Sequence, residues 1–219
     1  MSKRICCISD MHSRHFEIDM FPADLLVIAG DLTRFGTVTE IIALDQWLGR
    51  IRHMYDEIIV IAGNHDLAFQ KEDQNQNGRN FITNAIYLEN DFFEWQSYKI
   101  WGSPYSPTYG VGWAFNADRG SDIKKYWDLI PEDTNILITH GPPYGFLDKT
   151  EVYFGGMDSV GCEVLADKIK SLKNLKAHIF GHIHDGYGVE EKDGVFYVNA
   201  SSAQHGYSLI REPLVIELD

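Results

Sequence analysis

One pattern recurs along this chain: a short β-branched apolar run ends at a residue able to hold a metal or move a proton. Arg4 to Ser9 is apolar and β-prone and runs into Asp10-Met11-His12. Leu25 to Ala29 ends at Gly30-Asp31, and Ile58 to Ile61 ends at Ala62-Gly63-Asn64-His65-Asp66. Asn135 to Thr139 ends at His140-Gly141, and Lys176 to Phe180 at Gly181-His182-Ile183-His184. Runs apolar on both faces are expected to be central parallel strands. In open α/β sheets, ligands gather at the carboxyl ends of such strands, where these polar groups fall. A lone histidine after a strand is more often structural than functional. Five recurrences of the same pattern count against that reading.

Between these runs the period changes. Ile41, Leu44, Trp47, Leu48 and Ile51 recur at helical spacing, with Thr37 or Thr39 as the cap. Ser121 to Ile130, stopped by Pro131, and Ser159 to Lys173, with Val164, Leu165, Ile169 and Leu172 on one face, read as further helices. Ala85 to Leu88, Phe92 to Gln96 and Tyr98 to Trp101 are short strands, the last two a hairpin that begins a second sheet. Val195 to Asn199 and Leu214 to Leu218 are expected to extend that second sheet. Lys71 to Asn80 lacks apolar periodicity and reads as a surface segment. Gly102 to Asn116 is an aromatic loop with two prolines, either a wall of a substrate pocket or a seal on the core edge. No internal repeat or linker interrupts the pattern, so residues 1–219 are expected to form a single domain.

Composition narrows the function classes. The 219 residues are 44% hydrophobic and 13% aromatic, enough to fill a sizeable core. Lys and Arg total 19 against 32 Asp and Glu, a net charge of −13. That balance argues against a footprint on long nucleic acid, which needs clustered basic residues. A small phosphate ester stays compatible, because bound cations reverse the sign locally. Cys6, Cys7 and Cys162 make no disulfide framework, and adjacent Cys6 and Cys7 point to opposite faces of a strand. No signal peptide or membrane-length apolar run is visible, so a cytoplasmic setting without a membrane partner is expected. The oligomeric state leaves no trace in the sequence.

The strand-end residues mix imidazole, carboxylate and amide oxygen with no thiolate. That mix suits Mn²⁺, with Fe or Zn²⁺ as alternatives, rather than Mg²⁺ alone or a structural zinc. Asp10, His12, Asp31, Asn64, His140, His182 and His184 are too many for one ion and about right for two. Two ions sharing one carboxylate form the arrangement used for displacement at phosphorus.

Asp10-X-His12, Gly30-Asp31, Gly63-Asn64-His65-Asp66, His140 and Gly181-His182-X-His184 stand in the order shown by the calcineurin-like metallophosphoesterases, which the chain resembles from Asp10 to His184. A narrower resemblance, to the metallophosphoesterase-domain (MPPED) branch, rests on Asp10-Met11-His12-Ser13-Arg14, Gly102-Ser103-Pro104 and Trp113-Ala114-Phe115-Asn116. It also rests on Thr139-His140-Gly141-Pro142-Pro143, Gly145-Phe146-Leu147-Asp148, the run from Phe180 to Gly188, and Asn199-Ala200-Ser201. The resemblance implies a four-layer αββα sandwich of two mixed sheets flanked by helices. It implies that Asp10, His12 and His184 hold one metal and Asn64, His140 and His182 the other, with Asp31 between them. Some animal proteins of this branch have lost the first histidine of Gly-His-X-His; this chain keeps His182, which implies a complete two-metal site.

A hydroxide held between two cations, its pKa lowered by them, is then expected to attack phosphorus in line. His65 is the candidate for protonating the leaving oxygen or touching the phosphoryl group, alongside Asn64. Asp66 is expected to orient His65 by accepting from its far nitrogen, or else to serve as a plain cap or turn residue. Arg14 is placed either on a substrate phosphate or in a surface ion pair, and His205 near the pocket. The expected activity is hydrolysis of phosphodiesters of small molecules such as cyclic nucleotides. The alternatives are a phosphomonoesterase on nucleotides, sugar phosphates or phosphoproteins, and a nucleotide-binding regulator with a weakly active metal site.

Overall fold

The computed structural model describes residues 2–151, 155–204 and 210–219. The chain opens with β1 (Lys3–Ile8), β2 (Leu25–Ala29), α1 (Val38–Ile51), β3 (Glu57–Ile61) and β4 (Ile86–Tyr87). A hairpin of β5 (Asp91–Trp95) and β6 (Tyr98–Ser103) precedes the short β7 (Ser106–Pro107) and β8 (Asn116–Ala117), then α2 (Ser121–Trp127). After β9 (Ile136–Thr139) come β10 (Lys149–Glu151), β11 (Met157–Ser159), α3 (Glu163–Ser171) and β12 (Ala177–Phe180). The chain closes with β13 (Gly188–Lys192), β14 (Val195–Asn199) and β15 (Leu214–Leu218).

Two large sheets form, in the orders β15-β1-β2-β3-β4 and β13-β14-β12-β9-β6-β5. Strands β1 to β4 run parallel, as do β6, β9, β12 and β14. The antiparallel strands β15, β13 and β5 lie at the edges. Alternation within the central strands sorts the side chains into layers. Cys7, Val27 and Ile59 meet Ile100, Ile138 and Ile179 across the gap between the sheets. Cys6, Leu26 and Val60 point the other way, onto Ile41, Leu44, Trp47 and Leu48 of α1. On the far side Trp101, Leu137 and Phe180 pack with Ile123 and Trp127 of α2 and Leu165 and Ile169 of α3. The result is the expected four-layer αββα sandwich. Each fully buried aliphatic side chain in these layers contributes roughly 1.5–3 kcal/mol.

Thr37 is the cap of α1, in a capping box with Glu40. Three expectations change. Leu214 to Leu218 pairs with β1 in the first sheet, not the second, because the chain returns across the molecule to cover the edge of β1. Helix α3 begins at Glu163 rather than Ser159, since residues 157–159 pair with β10. Helix α2 closes at Trp127, with only hydrogen-bonded turns carrying the chain on to Ile130.

The carboxyl ends are stitched to one another. Asp10 N donates to Gly30 O (3.0 Å), His12 N to Asp31 O (3.1 Å) and Gly181 N to His140 O (2.9 Å). The two sheets meet where Ser9 bridges Ser201 and Ser202 N donates to Ser9 O (2.8 Å). All five motifs therefore arrive at one edge of the sandwich.

Candidate metal centre

The turns that leave the strands are unusually bent. Asp10, His12, Ser13, Asp31 and His182 all have positive φ, between 44° and 69°, a region L-residues seldom occupy outside constrained sites. The turns also pack too closely for side chains at two glycines. A Cβ on Gly181 would lie 2.1 Å from Asp10 Oδ2, and one on Gly63 would lie 2.4 Å from Asp31 Oδ1. Glycine at these places lets one ligand loop press against the next.

Three overlapping groups of donor atoms result. Asp10, His12 and His184 converge in one, Asp31, His140 and His182 in another, and His12, Asp31 and His65 lie between them, the atoms of each within 4.8 Å of one another. His12 Nε2 faces His184 Nε2 at 3.4 Å, and His184 Nε2 lies 3.3 Å from Asp10 Oδ1. Asp31 spans the clusters: its Oδ1 is 3.3 Å from His140 Nε2 and its Oδ2 is 3.7 Å from His12 Nε2. Asn64 Oδ1 sits 2.8 Å from His140 Nε2, while Asn64 Nδ2 donates to the Tyr109 hydroxyl at 2.7 Å, which fixes the amide orientation. His140 Nδ1 is tied to Ala29 O at 3.0 Å, leaving Nε2 aimed inward. Crowded carboxylate and imidazole atoms with this spacing suit divalent cations bound by nitrogen and oxygen.

The imidazoles divide into two that are neutral and two that hold a proton more tightly without a cation. Burial depresses His12 to about 4 and His182 to about 3, so both are neutral near pH 7. Burial would also depress His140, but the Asp31 carboxylate reverses this and raises it to about 9. His184 is raised too, by its hydrogen bond and charge contact with Asp10, against the pull of burial. Burial alone would raise Asp10 and Asp31; the surrounding imidazoles outweigh it and hold both carboxyls well below their ordinary range.

His65 stands at the edge of the pair. Its ring is 4.5 Å from that of His12 and its Nε2 is 4.0 Å from Asp31 Oδ2. Its Nδ1 pairs with the Arg34 carbonyl at 2.9 Å. Asp66 does not touch the imidazole, a correction to its expected role. Its carboxylate instead accepts from Gly63 N (2.7 Å), Leu32 N (3.1 Å), Thr33 N (2.9 Å) and Thr33 Oγ1 (2.6 Å). Burial, then the charge of Asp31, pushes it up to about 6. Asp66 is thus a clamp between the loops after β2 and β3, and the backbone carbonyl of Arg34 takes the orienting role.

Arg14 donates from Nε to Glu17 Oε1 at 2.9 Å and does not line the cavity beside the clusters, which is the ion-pair reading. His205 lies outside the described residues. Sequence reasoning missed several supports. Ser201 Oγ donates to Asp10 Oδ2 (2.8 Å), Asn199 Nδ2 to Ile183 O (2.8 Å), and Arg211 Nη1 to His184 O (2.8 Å). The signal for Asn199 and Ser201 was present in Asn199-Ala200-Ser201; none marked Arg211. The aromatic loop does wall the site: Tyr109 is 5.1 Å from His182 and Trp113 is 4.5 Å from His65, ring to ring. A cavity of about 520 Å³ opens from the clusters, with Pro107, Tyr109, Pro142, Val160 and Ile183 among its walls.

A sandwich of this order with such donor groups at one edge is an arrangement suited to a metal-dependent hydrolase. The chain belongs to the calcineurin-like phosphoesterase family, whose model matches residues 3–186. It is 38% identical to human metallophosphoesterase domain-containing protein 1, over 98% of this chain and 71% of that protein, and equally to the mouse protein of that name. A UPF0046 protein of Caenorhabditis elegans is 32% identical over 97% of this chain and 74% of its own length. The fold is also that of a Thermus thermophilus protein, TT1561, with a TM-score of 0.58 at 16% identity, covering 91% of this chain and 89% of that one. No helix among the described residues is long and apolar enough to cross a membrane.

Proposed function

We propose that this metal-dependent phosphoesterase hydrolyses diesters of small molecules, cyclic nucleotides among them, with two divalent cations, Mn²⁺ first. Asp10, His12 and His184 would hold one cation, Asn64, His140 and His182 the other, and Asp31 would contribute to both. The carrying observation is the Asp31 carboxylate, which turns one oxygen to each cluster. When bound, the cations supply positive charge to the phosphoryl oxygens and lower the pKa of water. The chain's own residues do the rest. Arg34 O holds His65 Nδ1, so that Nε2 faces the reacting group and delivers a proton to the leaving oxygen. The Tyr109 hydroxyl holds the Asn64 amide in register with His140. Asp66 keeps the two loops bearing Asp31 and Asn64 at fixed separation.

Support for a diester comes from the apolar walls beside the clusters, which leave room for an organic group, and from the chain's acidity, which disfavours long polyanions. The test is turnover of bis-p-nitrophenyl phosphate against p-nitrophenyl phosphate with added Mn²⁺. Faster diester cleavage is expected. Preference for the monoester would overturn the diester reading, and inertness toward both across several metals would leave a nucleotide binder.

A further inference from the structure

Beside His65, which also lines the main cavity, lies a second, smaller cleft of about 300 Å³. It is walled by Arg34, Phe35, His65, Leu67 and Trp113. Three of these are large apolar side chains in contact with solvent: Phe35 is 69% exposed, Leu67 37% and Trp113 37%. Grouped exposure of this kind marks a surface made to be covered.

The backbone beneath the cleft is held firmly. Arg34 N, Phe35 N and Thr37 N all donate to the Glu40 carboxylate, at 2.9, 3.2 and 3.0 Å. Ala68 N donates to Gly36 O at 3.1 Å, joining the Phe35 loop to the segment that carries Leu67. Ala114 N donates to Asn64 O at 2.9 Å and Phe115 N to Gln70 Oε1 at 3.0 Å, which fixes Trp113 on the opposite wall. Gly36, at φ +68°, presses so close that a Cβ there would meet His65 O at 2.6 Å. Apolar side chains left in water on an anchored backbone form a preorganised site, because little ordering cost remains when a ligand arrives.

The cleft has a chemical character. Its walls include two aromatic rings, and the Arg34 guanidinium lies 5.4 Å from the Phe35 centroid. Such walls favour a flat, polarisable ring over an alkyl chain or a charged group. Its position says what carries that ring, since His65 borders both the cleft and the main cavity. A ring in the cleft is within reach of an ester oxygen beside His65, joined to it directly or through a sugar. We infer that Phe35, Leu67 and Trp113 form a leaving-group subsite for a planar aromatic ring, a nucleobase or a simple aryl group. In an acyclic diester the other substituent lies in the main cavity; in a cyclic nucleotide the ribose lies there and its base in the cleft. This rests on the phosphoesterase reading above and adds to it the class of the departing group.

The test uses a reporter already in place. Of the five tryptophans, Trp47, Trp95, Trp101 and Trp127 are at most 5% exposed, so Trp113 is the one a solution ligand can reach. The metal-loaded full chain is titrated with adenosine and, separately, with 2-phenylethanol, while tryptophan fluorescence is followed. Neither carries phosphate, so binding is read apart from turnover. We expect saturable quenching by at least one, weakened at least tenfold in Phe35→Ala and in Leu67→Asp; which ligand binds more tightly distinguishes nucleobase from aryl group. Both substitutions lie at exposed positions, and an unchanged circular dichroism spectrum verifies the fold. Absence of saturable quenching by either, or quenching equally tight in both variants, overturns the subsite. Those failures accompanied by normal cleavage of bis-p-nitrophenyl phosphate leave the phosphoesterase reading standing. Saturable, Phe35-dependent quenching in a chain inert toward every phosphoester leaves the subsite and removes that reading.

Discussion

In the proposed mechanism His65 divides a metal binder from a hydrolase. Its replacement by alanine leaves the Asp10, His12, His184 and Asp31, His140, His182 groups intact and would remove the proton source. His65→Ala is expected to retain its metals and lose about a hundred- to ten-thousand-fold in turnover, most for poor leaving groups. Metal loss by elemental analysis would instead make His65 a ligand, as its place beside His12 and Asp31 allows. Asp66 acts at a distance from the chemistry. Asp66→Ala strands three buried backbone N–H groups, each at a cost of about 1–3 kcal/mol, and should lower the melting temperature and metal affinity together. Lost turnover at unchanged stability would return Asp66 to an imidazole-orienting role. In the proposed ligand set, His140 and the likewise raised His184 set the pH dependence. The pKa of His140 in the metal-free protein is raised to about 9, and a ligand nitrogen must be unprotonated, so cation binding below pH 9 expels a proton. Affinity should rise with pH and level off above about 9, with proton release measurable by calorimetry in buffers of different ionisation enthalpy. The ligand types were legible in the sequence because each follows an apolar run directly. The Asp66 clamp was not, since its partners Leu32 and Thr33 lie more than thirty residues away.

At the scale of elements, periodicity read the buried parts well and the edges poorly. β2 and β3 are apolar on both faces, and α1 carries its stripe on one face, so neither resembles anything else. β10 and β13 are mostly exposed and polar, which leaves no apolar alternation to recognise. β15 was visible as a strand, but its alternation fits the edge of either sheet. Only the long return of the chain decides that it pairs with β1. Two predictions belong here. Thr37→Ala removes the cap of α1 and should cost about 1 kcal/mol, or a melting shift of about 2–4 °C, without altering turnover. Gly181→Ala places a carbon where Asp10 Oδ2 and Ser9 Oγ now lie, pushing the β12 loop away from the β1 loop. It should abolish metal binding at the Asp10, His12 and His184 cluster even if the chain still folds, as metal content and circular dichroism together would show.

Over the whole molecule, the two parallel cores bring short motifs from across the sequence to one edge, where the sheets are joined by Ser9, Ser201 and Ser202. Asp10 and Asp31 come from the first sheet and His140, His182 and His184 from the second, so each cluster draws ligands from both. The sandwich and its centre are therefore one construction, and cations bound there tie the sheets together. Asp31 is where the two clusters share an atom source, and metal stoichiometry in Asp31→Asn is the most direct measure of the account. The wild-type chain should hold two cations and the variant should lose both together, along with phosphoester hydrolysis. A variant that keeps one cation at full occupancy, with the other site alone emptied, would contradict a carboxylate shared between two metals.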